Sequence, residues 1–466
     1  MNLILSTDSY KLTHHAMYAP DTEFVYSYFE ARKGAKYDHT VFFGLQYLLE
    51  GLAGTAVTQA DLDEATALSD VHLGPGLFNQ AGWQYIIDVH GGRLPLEIRA
   101  VPEGSRIPIN NVMMTVVNTD PECFWLTNFL ESYLTHVWYP STVATISNEV
   151  KRDLATYLNI QGSDPETINF MLHDFGYRGA TTDEAAAIGG AAHLINFMGT
   201  DTLPAMSLAM KYYDADLDSL AFSVPASEHS VMTAQGRAGE YDVLDQLITN
   251  YPNGILSVVA DSYDIYAFVN EVVARKEQIL ARDGRFVVRP DSITAKHDTP
   301  EGLMLWIVET LWDGFGGTTT DTGFRVLNDQ IRVLWGDGID PAGIRHIAYH
   351  LHSNGFAVAN TVYGMGGGLL QRCDRDTQRF AFKCSAQRRG GEWYDVQKSP
   401  LDASKTSKAG RLKLIHRVGE THRTIPLDAE GDDTLRLVFR NGDVVSRQTL
   451  SEVRERASIE TGYRDM

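Results

Sequence analysis

The chain has 466 residues, of which 44% are hydrophobic and 21% are charged, and its formal net charge is −20. This length allows a large hydrophobic core and more than one domain. The negative charge disfavours a general nucleic-acid-binding protein, because a phosphate backbone needs a cationic surface, but it permits a local cationic pocket for a phosphorylated small molecule. Three scattered cysteines predict neither a disulfide framework nor a zinc site, and they fit a reducing cytoplasm.

The first third of the chain is predicted to mix strands and helices. We expect no signal peptide, and no apolar run of about 18 residues is present that would cross a membrane. An aromatic and β-branched segment at 24–29 predicts a strand, and alternation predicts another over 94–100. A turn at 102–104 is followed by a returning strand over 112–117. Apolar residues at helical spacing predict a helix from about 124 to 137.

From about residue 165 the sequence changes to short apolar runs, each ending in polar or glycine-rich residues. The seven runs are 168–172, 194–197, 220–224, 255–260, 286–288, 331–335 and 356–359. Stretches with helix-compatible composition lie between most of them, and this alternation predicts a parallel sheet. Functional groups after every strand are typical of an α/β barrel, whose site lies at the carboxyl ends of its strands. A doubly wound open sheet is the alternative.

After about residue 380 the sequence returns to alternating strand patterns, at 411–417 and 434–439, with Asn441-Gly442 as a hairpin signal. Such strands cannot extend a parallel sheet without crossover helices, so we expect them to join the N-terminal strands in a mostly antiparallel domain. A short helix is expected from Ser451. The predicted organisation is a β-rich domain from residues 1–145 and 381–466, and an α/β barrel from residues 146–380.

Carboxylates follow three of the predicted strands, at Asp261, Asp291 and Asp337. At one barrel mouth they could hold magnesium, bind ribose hydroxyls or orient a histidine. Each one taken alone is more often a helix N-cap. His229 follows the third apolar run, although this position alone does not make it a nucleophile.

Aromatic, glycine-rich and basic segments add further candidates. Phe175 is either a core residue or a stacking surface for a planar ring, which Arg178 beside it would suit. The glycines at 366–368 permit close backbone approach and left-handed dihedral angles, so that several N–H groups can face one phosphate; a plain loop is the alternative. A basic run follows, which is either a phosphate clamp or a solvated helix face. Its members are Arg372, Arg375, Arg379, Lys383, Arg388 and Arg389.

Several motifs together resemble those of the nicotinamide phosphoribosyltransferases, from about residue 2 to about residue 445. They are Thr7-Asp8-Ser9-Tyr10-Lys11, His173-Asp174-Phe175-Gly176-Tyr177-Arg178-Gly179, Gly199-Thr200-Asp201-Thr202, Ser223-Val224-Pro225-Ala226-Ser227-Glu228-His229, Asp261-Ser262-Tyr263-Asp264, Arg289-Pro290-Asp291-Ser292 and Gly366-Gly367-Gly368-Leu369-Leu370. The resemblance implies a type II phosphoribosyltransferase fold, an irregular α/β barrel plus a β-rich α+β domain built from both chain ends. It also implies a homodimer with two active sites at its interface.

The reaction implied by this resemblance joins nicotinamide to phosphoribosyl pyrophosphate (PRPP) and gives nicotinamide mononucleotide and pyrophosphate. It belongs to NAD salvage in the cytoplasm, requires Mg²⁺ and is coupled to ATP hydrolysis through a phosphohistidine. No nucleic-acid or membrane partner is expected. Such a transfer passes through an oxocarbenium-like state while pyrophosphate leaves, so catalysis depends mostly on positioning and on neutralising charge.

The resemblance assigns roles at the base site. Phe175 and a Tyr10 from the second subunit would sandwich the nicotinamide ring, and Asp201 would accept a hydrogen bond from its carboxamide. Arg178 and Arg289 would lie near the ring amide and the 5′-phosphate. A carboxylate beside the ring substituent favours an amide and repels nicotinate, by on the order of several kcal/mol in a shielded site. Nicotinate phosphoribosyltransferase is therefore the alternative function, and its members typically carry Ser-Asn after the same Gly-Thr.

Other roles concern ribose, phosphate and ATP. His229 would be phosphorylated with support from Asp261, Asp291 would contact the ribose hydroxyls, and Asp337 would serve the ribose or a phosphate. Further substrate contacts are implied for Ser257, Gly366, Gly367 and Gly368, and contacts to pyrophosphate or ATP phosphates for Arg32, Arg375 and Lys383. The magnesium ligands are left open by the resemblance.

Two positions depart from the family pattern. Ile293-Thr294-Ala295 stands where the family usually has Gly-Asn-Pro, which changes the loop after Asp291. Met365 replaces a frequent serine and removes one hydroxyl, but it leaves the backbone donors. A non-catalytic binding protein with the same fold is a second alternative. It predicts loss of the costly site residues, yet His229, Arg289 and Asp291 are all present.

Overall fold

The computed structural model describes residues 2–398, 407–416, 419 and 421–458. Within these residues the chain forms two compact units. The first unit contains positions up to Thr145, Lys211–Asp214 and Asp374–Ala457. The second contains Ile146–Met210 and Ala215–Cys373. The domain boundaries at 145/146 and 380/381 stay a prediction.

The first unit is organised around an antiparallel sheet of seven strands. Their order across the sheet is Glu392–Asp395, Phe380–Arg389, Thr22–Ala31, Val112–Asn118, Leu96–Ala100, Arg436–Arg440 and Asp443–Val444. Phe29 lies opposite Phe382, and Phe439 lies opposite Ile98, so strands from the C-terminal end flank three adjacent N-terminal strands on both sides within one sheet. The expectation that the late strands join the N-terminal ones is confirmed.

Smaller elements complete the first unit. Two short antiparallel pairs join Leu412–Ile415 to Arg423–Pro426, and His39–Val41 to Arg106–Pro108. Its helices, including three short 3₁₀ segments, are Leu3–Leu5, Ser9–Met17, Leu45–Glu50, Gln59–His72, Gln80–His90, Pro121–Cys123, Leu126–Phe129, Glu131–Thr135 and Leu450–Ala457. The last one confirms the helix expected near Ser451. Residue 417, the end of one predicted strand, lies outside the described residues.

The helix predicted over 124–137 was wrong in its length. The structure has two short helices there, Leu126–Phe129 and Glu131–Thr135, and the long helix Trp138–Ile160 follows them. The helices separate at Leu130, whose φ and ψ are −80° and 0°. Apolar spacing indicates which side of the chain faces the core, and Leu130 is fully buried as that spacing predicts. The spacing does not indicate where the backbone hydrogen bonds of a helix are interrupted.

The second unit contains a parallel sheet of six strands. Their order is Gly199–Thr200, Leu172–Asp174, Thr361–Met365, Ile331–Trp335, Phe286–Arg289 and Leu256–Val259. Each neighbouring pair is parallel, with Val333 opposite both Thr361 and Val288. Their side chains are buried almost throughout, as in a sheet covered on both faces.

A short segment joins the two edges of this sheet. Phe222 forms an isolated parallel bridge to Gly199 at one edge, and Ala226 forms another to Ser257 at the opposite edge. The Phe222 N–H donates to Met198 (2.7 Å), and the Ser257 N–H donates to Pro225 (2.9 Å). Segment 222–226 therefore closes the sheet into a ring. The α/β barrel of the sequence prediction is confirmed, and the open sheet is excluded.

Helices of the second unit surround the sheet. After Trp138–Ile160, which leads into this unit, they are Pro165–Phe170, Tyr177–Gly179, Asp183–Leu194, Leu203–Tyr213, Leu217–Leu220, His229–Met232, Gly236–Asn250, Ile265–Ala274, Lys276–Leu280, Pro300–Phe315, Pro341–Ser353, Val358–Asn360 and Gly367–Leu370. A small antiparallel pair joins Gly317–Thr319 to Arg325–Leu327. In the described part of the chain, no helix combines the length and apolarity that a membrane span needs.

Some predicted strands lie elsewhere. The runs at 194–197 and 356–359 are not strands; the strands follow them, at Gly199–Thr200 and Thr361–Met365. Phe197 and Phe356 are fully buried beside the sheet. A short buried apolar run has no periodicity that separates a strand from a buried helix end or loop, which accounts for the displacement.

Candidate functional site

The carboxyl ends of the parallel strands carry most of the predicted site residues of the second unit. Following the order of the sheet, the residues just past the strands are Asp201, Phe175, Gly366, Asp337, Asp291 and Asp261. Parallel strands bring their carboxyl ends to one edge, so one barrel mouth displays all six positions. We call Asp261, Asp291 and Asp337 the mouth carboxylates.

His229 lies against two of the mouth carboxylates. It begins the short helix His229–Met232, and its Nε2 lies 3.1 Å from Asp261 Oδ1 while its Nδ1 lies 4.0 Å from Asp291 Oδ2. About half of the imidazole is exposed, whereas Asp261 is nearly buried. The other oxygen of Asp261 accepts a hydrogen bond from the Ser292 hydroxyl. Asp261 is thus held on both sides, with an imidazole that faces solvent.

Arg289 and Phe175 form a second group at the mouth. The guanidinium carbon of Arg289 lies 5.4 Å from the centre of the Phe175 ring, and its Nη2 donates to Asp291 Oδ1 (3.0 Å). Within the described residues its buried Nε has no hydrogen-bond partner. Beneath the ring, a Cβ added at Gly364 would lie 2.0 Å from Phe175 Cε2. Glycine at 364 therefore creates the space that the aromatic ring occupies.

Asp201 stands beside the strand that leads to Phe175. Its side chain is exposed and accepts a hydrogen bond from the Ser223 hydroxyl, and its N–H donates to the Asp174 carbonyl (3.0 Å). Asp174 itself is fully buried, and its Oδ1 accepts the Gly176 N–H at 2.7 Å. Burial raises the pKa of Asp174 to about 6, an effect that the Gly176 hydrogen bond opposes and the Asp201 charge increases.

Like charges face one another at the mouth. The pKa of Asp337 is raised, first by partial burial and then by the charges of Asp291 and Asp261. A cation placed between these carboxylates would relieve that repulsion. The Asp337 backbone is fixed because the Trp335 indole N–H donates to its carbonyl at 2.7 Å.

The glycine segment differs from its prediction in one respect. Gly366, Gly367 and Gly368 do not have positive φ values; Gly367–Leu370 forms a single short helical turn instead. Close approach explains Gly368, because a Cβ there would lie 2.5 Å from the Ile339 carbonyl oxygen. Met365, the position that departs from the family pattern, is fully buried and supplies its carbonyl to the Phe175 N–H at 3.1 Å.

Two further predicted residues of this unit lie apart from these contacts. Ser257 is buried in the strand Leu256–Val259, and its hydroxyl has no hydrogen-bond partner in the part of the chain that the structure describes. Arg178 lies in the exposed turn Tyr177–Gly179. Tyr177, which follows Phe175 in the same motif, is exposed and donates its hydroxyl to Asp183 (2.9 Å).

The other predicted residues belong to the first unit. Tyr10 is 57% exposed on the 3₁₀ helix Ser9–Met17, with the Lys11 ammonium 5.4 Å from its ring centre. Lys11 is buried and binds Glu131 (2.7 Å) and the Asn128 carbonyl (2.9 Å). The contacts of Lys11 therefore anchor the backbone next to Tyr10, although the Tyr10 ring is open to solvent.

Positive charge is concentrated in the same unit. The pKa of Lys383 is lowered mainly by burial, with smaller contributions from the charges of Arg32, Arg375 and Lys398, while Glu131 acts in the opposite direction. We call these four cations the basic cluster. Arg32 is fixed through its Nε, which donates to the Arg379 carbonyl at 3.0 Å. The basic cluster is suited to a polyanionic ligand.

Other members of the basic run contact protein groups outside the basic cluster. Arg379 donates to the Lys33 carbonyl (2.9 Å), Arg388 lies 3.4 Å from Glu23, and Arg389 lies over the Tyr394 ring. Residues 380–389 form a strand, so the solvated helix face is wrong. The sequence analysis missed the hydroxyl contacts of Ser223 and Ser292, although both serines lie in the conspicuous motifs after strands.

The comparison with protein families agrees with this geometry. The model of the nicotinate phosphoribosyltransferase (NAPRTase) family matches residues 170–443. The chain belongs to this family. A second model, the N-terminal domain of nicotinamide phosphoribosyltransferase, matches residues 2–98. The resemblance drawn from the sequence motifs is confirmed.

Curated relatives match nearly the whole chain. A nicotinamide phosphoribosyltransferase from Xanthomonas campestris pv. campestris is 44% identical over 469 residues, covering 98% of each chain. One from Acinetobacter baylyi is 34% identical and covers 98% of this chain and 97% of its own. These relatives place the chain among enzymes that transfer a phosphoribosyl group.

Solved structures share the fold at much lower identity. Nicotinate-nucleotide pyrophosphorylase from Pyrococcus furiosus superposes with a TM-score of 0.63 at 15% identity, covering 98% of this chain and 94% of that one. Human nicotinic acid phosphoribosyltransferase gives 0.55, also at 15% identity, with 97% and 92% covered. At this identity the likeness concerns the fold alone.

Proposed function

We propose that the chain transfers the phosphoribosyl group of PRPP to nicotinamide, giving nicotinamide mononucleotide and pyrophosphate in NAD salvage. The observation that carries the choice of base is the exposed carboxylate of Asp201, held by Ser223 and next along the sheet to the strand that leads to Phe175. An amide N–H₂ can donate to this carboxylate, whereas the carboxylate of nicotinate would be repelled. The names of the full-length relatives support the same base.

The remaining groups of the mouth suit the reacting sugar. Phe175 offers a ring face for stacking, with the Arg289 charge nearby, and Asp291 is available to the ribose hydroxyls. The mouth carboxylates stabilise positive charge, which develops on the ribose as the bond to pyrophosphate breaks. Nicotinamide bound against Phe175 would then meet this carbon while water is displaced from the mouth.

Magnesium is part of this proposal. No group of three or more Asp, Glu, His or Cys side chains suited to a metal ion occurs in the described ranges. Mg²⁺ commonly takes only one or two carboxylates and completes its shell with water and substrate phosphates. Asp291 and Asp337 fit that pattern, since their charges repel each other at one mouth. Mg²⁺ bound there would neutralise the departing pyrophosphate.

ATP coupling is proposed to act through His229. Its half-exposed imidazole has Nε2 held by Asp261, so Nδ1 is left to accept a phosphoryl group while the Asp261 carboxylate supports the positive charge of the ring. The basic cluster of the first unit and Tyr10 are proposed to act on phosphate and base in a homodimer, where each site receives residues from both subunits. A cytoplasmic location stays a prediction.

The test of the proposed function is turnover of both bases. We expect the wild-type enzyme to form nicotinamide mononucleotide from nicotinamide and PRPP with a far higher kcat/KM than for nicotinate. Equal use of the two bases would refute the role of Asp201. No product from either base would favour a non-catalytic protein that has kept the fold.

A further inference from the structure

The hydroxyl of Tyr266 contacts the loop that follows Asp291. Residues 292–298 have no helix or strand, and Ile293 is 48% exposed, so little apolar burial fixes this loop. The Tyr266 hydroxyl lies 2.6 Å from Thr294 Oγ1 and 2.9 Å from His297 Nδ1. The loop also closes on itself, because the Thr294 N–H donates to the His297 carbonyl (3.0 Å).

Three rings surround this hydroxyl contact. Trp306, from the helix Pro300–Phe315, meets the Tyr266 ring edge-on with 4.7 Å between centroids, and it stacks on His297 at 5.9 Å. Lys296 lies 4.8 Å from the Tyr266 ring centre. We call Tyr266, His297 and Trp306 the aromatic clamp. It holds the loop at the point where this chain departs from the family pattern.

The aromatic clamp connects two strand exits of the site. Tyr266 is the second residue of the helix Ile265–Ala274, which starts four residues after Asp261. Its backbone is fixed, because its N–H donates to the capping oxygen of Asp264 at 3.0 Å. Through its hydroxyl it holds the loop that follows Asp291, and Ser292 in that loop returns a hydrogen bond to Asp261. Two independent contacts therefore tie the same pair of exits together.

We propose that Tyr266 is a positioning residue for catalysis, whose hydroxyl fixes the 292–298 loop so that Ser292 and Asp291 stay against Asp261 and His229. The inference rests on the proposed function for its kinetic consequence. It needs no contact between Tyr266 and substrate. A displacement of about 1 Å at a reacting group costs roughly 100-fold in rate, so a loose loop would be visible in kinetics.

The decisive variant is Tyr266→Phe, which removes the two hydroxyl contacts and keeps the ring between Trp306 and His297. We expect kcat/KM for PRPP to fall roughly 10- to 100-fold, with KM for nicotinamide unchanged because Phe175 and Asp201 lie on other strands. Amide hydrogen exchange of residues 292–298 should become faster than in the wild type.

Tyr363→Phe is the matched control. Tyr363 is fully buried in the same unit, and its hydroxyl accepts a hydrogen bond from Thr361 at 3.0 Å. Removing it should lower Tm without a selective loss for PRPP. If Tyr266→Phe behaves like Tyr363→Phe, with lower Tm and unchanged kcat/KM for PRPP, Tyr266 has only a structural role and the proposal fails.

A double-mutant cycle with Ser292→Ala tests whether the kinetic effect of Tyr266→Phe is transmitted through Ser292. If Tyr266 acts through Ser292, the losses of the two single variants will not add, and the double variant will resemble the worse single one. Additive losses would overturn that route. Should the wild type fail to use nicotinamide, the proposed function fails separately. Amide hydrogen exchange of the 292–298 loop and the affinity for PRPP measured by calorimetry would then test the positioning role of Tyr266. Values unchanged from the wild type in Tyr266→Phe would overturn that role, and altered values would support it.

Discussion

The barrel mouth of the second unit and the basic cluster of the first unit carry opposite charges. In both regions burial and like-charged neighbours disfavour the charged form of a side chain. At the mouth, burial and neighbouring carboxylates raise the pKa of Asp337. In the basic cluster, burial and neighbouring cations lower the pKa of Lys383. Each region crowds charges of one sign that disfavour one another. Folding alone gives no reason for such crowding, so each region is best understood as a site for a ligand of the opposite sign.

In the proposed reaction the two regions would have different tasks. A mouth with mainly negative side chains suits a positively charged sugar, a metal ion and an amide donor. A positive cluster suits phosphates. In a chain with a net charge of −20, four cations beside one another stand out more than carboxylates do. Variants at the mouth should therefore alter the chemical steps and the choice of base, whereas variants of the basic cluster should alter the binding of phosphorylated substrates.

The largest effect is expected for His229→Ala. The variant should lose ATP hydrolysis that depends on phosphoribosyl transfer, because it lacks the imidazole that Asp261 supports, and it should keep slow ATP-independent transfer. Phosphate release measured with and without both substrates tests this. His346→Ala, an exposed histidine on the helix Pro341–Ser353, is the control. Unchanged ATP hydrolysis in the His229 variant would contradict a phosphohistidine.

Asp201→Ser should change base preference by up to about 1000-fold, since like charges about 4 Å apart repel by about 4 kcal/mol at an effective dielectric constant of about 20. The ratio of kcat/KM for nicotinamide to that for nicotinate should fall, while KM for PRPP stays nearly constant. Steady-state kinetics with both bases measure the ratio. Asp218→Ser, on the short helix Leu217–Leu220, is the control. A ratio that does not change would assign selectivity to another residue.

Asp174→Asn should alter stability and its pH dependence. The folded pKa of about 6 lies above the ordinary value of 3.8, so the favourable contribution of the protonated carboxyl is present below about pH 4 and is lost as the pH rises through about 6. At pH 8 the variant should be more stable by about 3 kcal/mol, at about 1.36 kcal/mol per pKa unit. Urea unfolding at about pH 4.5 and pH 8 tests this. An equal difference at both values would exclude titration of Asp174 as the cause.

The smallest effect is expected for Lys383→Met in the basic cluster. Loss of one partly buried cation should raise KM for PRPP or ATP by about tenfold, close to ~1.4 kcal/mol, and should leave KM for nicotinamide unchanged. Lys211→Met, an exposed lysine of the same unit, is the control. Kinetics at two salt concentrations should show the effect shrinking as salt screens the cluster. A raised KM for nicotinamide alone would contradict a phosphate role.

The positions of the mouth residues could be predicted from the sequence because charge directly after a buried apolar run is costly unless it lies at a strand's exit. Asp261, Asp291 and Asp337 all follow strands as expected. The ends of strands near Phe197 and Phe356 could not be placed, because a buried phenylalanine looks the same in a strand, a helix end or a loop. The glycines before Leu369 do not have the left-handed dihedral angles that the sequence suggested, and at Gly368 close packing requires glycine because a Cβ there would lie 2.5 Å from the Ile339 carbonyl oxygen.

Contacts between distant segments could not be predicted from the sequence. Ser223 to Asp201, Ser292 to Asp261 and Tyr266 to Thr294 each join residues that no periodicity relates. The barrel itself was predicted from alternation, yet its closure by two isolated bridges was not: the run 220–224 was predicted as a strand like the others, whereas the chain forms single bridges on either side of Pro225, at Phe222 and Ala226. Hydrogen bonds of single side chains depend on the completed fold.

The closing segment 222–226 also contacts one residue of the proposed site and leads to another. Ser223 within it binds Asp201, and His229 comes three residues after its end. The seam that seals the ring is thus formed by a stretch of chain beside Asp201 and His229, the residues that we propose to serve the base and the phosphoryl group. Any ligand that binds only the sealed ring must stabilise that seam by mass action. Substrate saturation and the integrity of the barrel are therefore thermodynamically linked, and the backbone amides of Phe222 and Ser227 are where that linkage can be observed.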